Sequence, residues 1–189
     1  MPTYKAVYRM IDAVCAQLAH QPQFASTFAQ CFPNALETTI HLREDGSTFV
    51  LTGDIPAMWL RDASAQVAPY LPLAQEDEEI CQMIRGLIQC MARLILRDPY
   101  ANAFTREPGT SDHTQDTPRP DPWVWERKFE LDSLCYPVKL CYDYWQITHD
   151  SSIFDDVLRD MLHTILHVME VEQHHEQSSS YTFERADPL

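Results

Sequence analysis

Positive charge is what this chain has least of. Its 189 residues carry 14 Lys and Arg against 28 Asp and Glu, a formal net charge of −14. A protein that binds nucleic acid must neutralise phosphates with basic side chains, and this balance excludes that on any useful scale. Also missing is a C-x-x-C pair: Cys15, Cys31, Cys81, Cys90, Cys135 and Cys141 are scattered singly, unlike zinc or dithiol redox sites. Most of them fall on the apolar side of helical patterns, where a free thiol acts as a small hydrophobe, so a reduced, cytoplasmic setting is expected. No apolar run reaches the length of a membrane span, and residues 1–8 lack the continuous apolar segment of a signal peptide. What is present is an acidic chain, 45% hydrophobic and 11% aromatic, of a length that suits one domain. Its expected ligand is uncharged or cationic, with neither nucleic acid nor membrane as partner.

Apolar periodicity predicts helices over most of the chain. Residues 4–20 repeat at Tyr4, Val7, Tyr8, Ile11, Val14, Cys15 and Leu18, the helical period. After Pro22 a second stretch covers about 23–38, interrupted near Pro33. Glu76, Asp77, Glu78 and Glu79 precede a strongly periodic helix through Ile80, Ile84, Leu87, Ile88, Met91, Leu94 and Ile95, and acids suit a helix N-terminus. Residues 129–145 and 152–172 read as two more helices, the first despite Pro137. The intervening residues 98–122 hold five prolines and little periodicity, a loop length that is uncommon unless functional or disordered.

Residues 40–51 differ. Asp45-Gly46 between β-branched and aromatic residues predicts a hairpin with a two-residue turn, which pairs Leu42 with Phe49 and Ile40 with Leu51. The chain then enters T-G-D-I-P-A-M-W-L-R-D-A-S-A-Q, residues 52–66. Here Asp54, Trp59, Arg61 and Asp62 stand among Ile55, Met58 and Leu60. Charges beside core side chains call for a partner or a polar ligand, and a sugar is one such ligand. Carboxylates and Arg grip its hydroxyls while Trp covers its C–H face. The plain alternative is an Arg61–Asp62 pair capping a helix with Trp59 in the core. Gly53 is expected to adopt an unusual backbone angle, and Pro56 to open the next helix. His163 and His167 have the i,i+4 spacing of metal ligands, but the intervening Thr164, Ile165 and Leu166 do not match H-E-x-x-H. A solvated polar face is the expectation.

At residues 53–66, G-D-I-P-A-M-W-L-R-D-A-S-A-Q, and 125–137, W-E-R-K-F-E-L-D-S-L-C-Y-P, the sequence resembles glycoside hydrolase family 125, and the resemblance covers essentially the whole chain. It implies an (α/α)6 toroid. About six helices are legible against the twelve of a complete toroid, so the expected fold is all-α with a small β-hairpin, about half of that toroid. Residues 1–189 are then the N-terminal part of a single glycosidase domain, truncated at the C-terminus. The resemblance further implies an exo-acting, inverting α-1,6-mannosidase that needs no metal or other cofactor and takes a mannose-containing oligosaccharide.

Inversion requires one carboxylic acid and one carboxylate. The family's pair is expected in the C-terminal half, so no catalytic residue is assigned here. Asp54, Trp59, Arg61, Asp62, Trp125, Glu130 and Asp132 are expected to hold the terminal mannose. Without the resemblance, Asp62 with Asp132 or Glu130 could be the acid and base. Glu130 and Asp132 could equally be ordinary helix N-terminal acids, and Trp123 and Trp125 could be packing. The functional alternative is a carbohydrate-binding or scaffold fragment that catalyses nothing. Because half a toroid leaves apolar helix faces open, self-association through them is expected.

Overall fold

The computed structural model describes residues 3–186. Helices dominate: α1 (Lys5–Gln17), α2 (Pro22–Cys31), α3 (Asn34–Thr38), α4 (Leu60–Val67), α5 (Glu78–Arg97), α6 (Leu131–Thr148), α7 (Asp156–Glu172) and the short α8 (His175–Ser178). Two small antiparallel sheets accompany them. One pairs β1 (Ile40–Leu42) with β2 (Thr48–Val50), and the other runs in the order β3 (Ala57–Trp59), β4 (Ala103–Thr105), β5 (Val124–Glu126). Among the described residues no helix is long and apolar enough to cross a membrane.

The core is organised on α5. Met83, Ile84, Leu87, Ile88, Met91 and Ile95 are buried along it, each contributing roughly 1.5–3 kcal/mol by leaving water. The helix starts cleanly because Asp77 caps it, accepting from the backbone N–H of Glu79 and Ile80. Helix α7 packs on one side of α5 and β2 on another. Gly86 makes that second approach possible, since a Cβ there would stand 2.5 Å from the carbonyl oxygen of Gly46 and 2.7 Å from Thr48 Oγ1.

Four local expectations change in the structure. The hairpin pairs Ile40 with Val50, His41 with Phe49 and Leu42 with Thr48, one residue out of the expected register. A two-residue type I′ turn needs positive φ at both central residues, but of Asp45 and Gly46 only Gly46 has it, at 80°. Glu44, Asp45 and Gly46 form a three-residue loop, closed by Gly46 N–H donating to Arg43 O at 3.1 Å and Arg43 N–H to Ser47 O at 2.8 Å. Pro56 precedes a strand, not a helix; α4 begins only at Leu60. The proline-rich stretch contains β4, whose three residues are all buried. Finally, Phe154 lies before α7 and is exposed. Gly53 does take the unusual angle, φ 83°, and α6 does run through Pro137. His163 and His167 are exposed on α7.

Candidate functional site

Both sequence motifs turn out to be strand-into-helix units. β3 feeds α4 after Trp59, and β5 reaches α6 after four intervening residues, 127–130. The strands are neighbours of β4 on either side, and α4 packs against α6. Two helix N-termini are therefore brought side by side, with Arg61 and Asp62 in the first turn of one and Glu130 and Asp132 at the start of the other. Asn102, fully buried, ties the strands at this point. Its Nδ2 donates to Glu126 Oε2 at 2.7 Å, its Oδ1 accepts from Lys128 N–H at 3.3 Å, and its carbonyl accepts from Leu60 N–H at 3.2 Å.

Arg61 is the centre of the resulting cluster. Its guanidinium lies 3.0 Å from Asp132 Oδ2, 3.2 Å from Asp62 Oδ2 and 3.6 Å from Glu130 Oε2. The hydrogen bond to Asp132 leads in raising the Arg61 pKa above its ordinary value. The four side chains are half-buried, so they face water on one side. Asp62 Oδ2 nevertheless has no hydrogen-bond donor, because its contact with Arg61 has the distance of an ion pair without the alignment; one turn on, Gln66 Oε1 is also buried and unpaired. Buried acceptors without donors cost stability, and these two lie on the inner side of the cluster; a hydroxyl-rich ligand reaches the half-exposed sides of Arg61, Glu130 and Asp132.

Beside this cluster is a pocket of about 440 Å³ lined by Asp54, Ile55, Pro56, Trp59, Asp112, His113, Trp125, Glu126 and Arg185. Thr52 shapes its rim: Thr52 N–H donates to Ala57 O at 3.0 Å and its Oγ1 accepts from Trp59 N–H at 3.1 Å, which pinches residues 53–56 into a tip carrying Asp54. Trp59 is half-buried, while Trp125 is 4% exposed and packs with Ala57 and Ala103. Trp59 therefore offers a ring to a ligand and Trp125 mainly backs it. Trp123 instead stacks under Arg97, with the guanidinium 5.6 Å from its ring centre.

The structure thus divides the seven expected binding residues into an ionic group, Arg61, Asp62, Glu130 and Asp132, and a pocket group, Asp54, Trp59 and Trp125. Sequence reasoning missed Asp112, His113, Glu126 and Arg185. Glu126 lay inside the W-E-R motif, and Asp112 and His113 lay in the loop whose length flagged it. Arg185 carried no local signal. Burial pushes the Glu126 carboxyl up, but hydrogen bonds from Asn102 and Arg185 outweigh it and leave the group below its usual range. Among the described residues no group of three or more His, Cys, Asp or Glu is placed to hold a metal ion.

Comparison with known proteins gives this arrangement a context. A solved structure from Streptococcus pneumoniae, described as a metal-independent α-mannosidase in a non-productive complex with α-1,6-mannobiose, superposes with a TM-score of 0.93 and 42% identity over 98% of this chain. That likeness makes the helical pairs part of the same α/α toroid fold. The meiotically up-regulated gene 157 protein of Schizosaccharomyces pombe is 41% identical over 93% of this chain. The chain spans 36% of that relative and 43% of the solved one. The model of the metal-independent alpha-mannosidase family, GH125, matches residues 21–189, and the chain belongs to that family.

Proposed function

We propose that this chain forms the mannose-binding part of an exo-α-1,6-mannosidase that works by metal-independent inverting hydrolysis. The observation that carries the reading is the half-exposed Arg61 group with its three carboxylates, set beside a pocket with an available indole. Neighbouring sugar hydroxyls both donate and accept, and paired carboxylate and guanidinium groups match them two at a time. Asp62, Glu130 and Asp132 surround one cation, an arrangement that suits holding hydroxyls. A general acid must instead arrive carrying a proton. We assign no acid or base among these residues and propose that both lie in the part of the fold that the longer relatives have.

The matching test uses the purified chain with α-1,6-mannobiose, under circular dichroism control of folding. Binding without mannose release is expected. Release would bring the catalytic pair inside residues 1–189 and make Asp62, Glu130 and Asp132 the first to substitute. Absence of binding by a folded sample would contradict the proposal. We further propose that the isolated chain self-associates, since Leu131, Tyr142 and Leu166 are 53%, 58% and 59% exposed on α6 and α7. Sedimentation showing a monomer at all concentrations would contradict that part.

A further inference from the structure

The backbone after α8 is tied down at two points, and at the second it brings Arg185 to the pocket wall. Tyr181 stacks on Tyr100 with ring centres 4.7 Å apart and planes 9° from parallel, and its hydroxyl accepts from Phe129 N–H at 2.8 Å and donates to Arg127 O at 3.1 Å. Further on, Glu184 and Thr117 exchange backbone hydrogen bonds of 2.8 and 2.9 Å, and Ala186 N–H donates to the buried Asp116 at 3.0 Å. Arg185, between them, is delivered to the pocket wall with all its near partners defined. It pairs with Glu126, stands 3.5 Å from Asp116 Oδ2, and lies 2.5 Å from Nδ1 of His113.

The last contact has a chemical consequence. A guanidinium can only donate, so His113 Nδ1 must accept and carries no hydrogen. While that bond holds, the ring keeps its hydrogen on Nε2. Nε2–H has no protein acceptor among the described residues, and the ring lines the pocket, edge-on to Trp125 with centres 6.0 Å apart. The carboxylates around that space, Asp54, Asp112 and Glu126, only accept, and three of the five Arg185 N–H groups are directed at Glu126, Asp116 and His113. A hydroxyl that donates to one of these carboxylates still needs a donor for its own lone pair.

We infer that Arg185 is a positioning residue that fixes His113 as the Nε2–H tautomer, so that His113 donates a hydrogen bond to a sugar hydroxyl in the pocket. This rests on the mannoside reading of the pocket. It assigns the two residues together: His113 touches the ligand, and Arg185 acts through it.

Long-range nitrogen–proton NMR of the full chain reads the ring state directly, with the His113 signals assigned by their loss in His113→Phe. A protonated Nε2 and a bare Nδ1 are expected, turning into the ordinary tautomer mixture in Arg185→Met. A bare Nε2, a doubly protonated ring, or an unchanged ring in a folded Arg185→Met would overturn the inference. The wild-type ring state decides if that variant does not fold. With α-1,6-mannobiose as probe, His113→Phe and Arg185→Met should each weaken binding by up to about tenfold, and the double variant should be no weaker than the worse single one. Additive losses would show that Arg185 acts apart from His113. If the wild-type chain binds no mannobiose, the sugar reading of the pocket fails, and the ring state alone decides the link between Arg185 and His113.

Discussion

Two regions of this molecule gather acids at helix starts, and they put them to opposite uses. Before α5, Asp77 Oδ1 caps the helix while Oδ2 accepts from Ala6 N–H at 2.8 Å, and Glu79 Oε2 accepts from the N–H groups of Thr3 and Tyr4 at 2.7 and 2.8 Å. These two carboxylates tie α1 to α5. At α4 and α6, Asp62, Glu130 and Asp132 make no helix-capping bond and gather instead on Arg61, which Asp62 Oδ2 meets as an ion pair without a hydrogen bond. The helix dipole favours acids at both places. What separates an architectural acid from a site acid is whether its lone pairs end on backbone N–H groups.

The strongest way to break this contrast is Arg61→Met. It removes the one cation holding three carboxylates, and mannobiose affinity should fall at least about hundredfold, roughly 3 kcal/mol. Calorimetric titration checks this, and retained affinity would return the group to plain structure. Asp77→Ala should do the reverse. Losing the cap and the Ala6 bond should cost about 2 kcal/mol, a fall in Tm of roughly 4–8 °C, with affinity unchanged. Weaker binding in that variant, measured on folded protein, would blur the distinction.

Asp132→Asn sharpens it further. It should weaken mannobiose binding by about tenfold while Tm stays within about 2 °C; a large drop in Tm with unchanged binding would make Asp132 architectural. The smallest effect is a pH dependence. Backbone hydrogen bonds from Tyr4 and Thr3 hold the Glu79 carboxyl below its ordinary value. Its grip on residues 3 and 4 is therefore fully present above the usual carboxylate range and lost as pH falls through the lower folded value. The Tyr4 amide resonance should report that loss on acidification, and Glu79→Gln should abolish the transition.

The same contrast explains what could be read from the sequence. α5 was legible because its apolar period is long and its acids precede it, features that local physics dictates. The motif around Arg61 was legible as a place of unusual charge, and the resemblance supplied a reason. Neither β3 nor β4 was legible, since three-residue strands among prolines have too little pattern to show a period and exist only through their pairing with one another. The hairpin register slipped because Asp-Gly suits both a two-residue turn and the last two positions of a three-residue loop, and only the sign of φ at Asp45 distinguishes them. Arg185 reaches His113 across 72 residues, a contact made by tertiary structure alone.

Four tryptophans provide the most direct test of the central claim that the seam between β3–α4 and β5–α6 binds mannose. The indole N–H resonances of the whole chain can be followed while α-1,6-mannobiose is added. The account predicts that Trp59 and Trp125 shift in a saturable way while Trp123, under Arg97, and Trp145, on the far part of α6, stay in place. Movement of the second pair, or silence in the first, would contradict it.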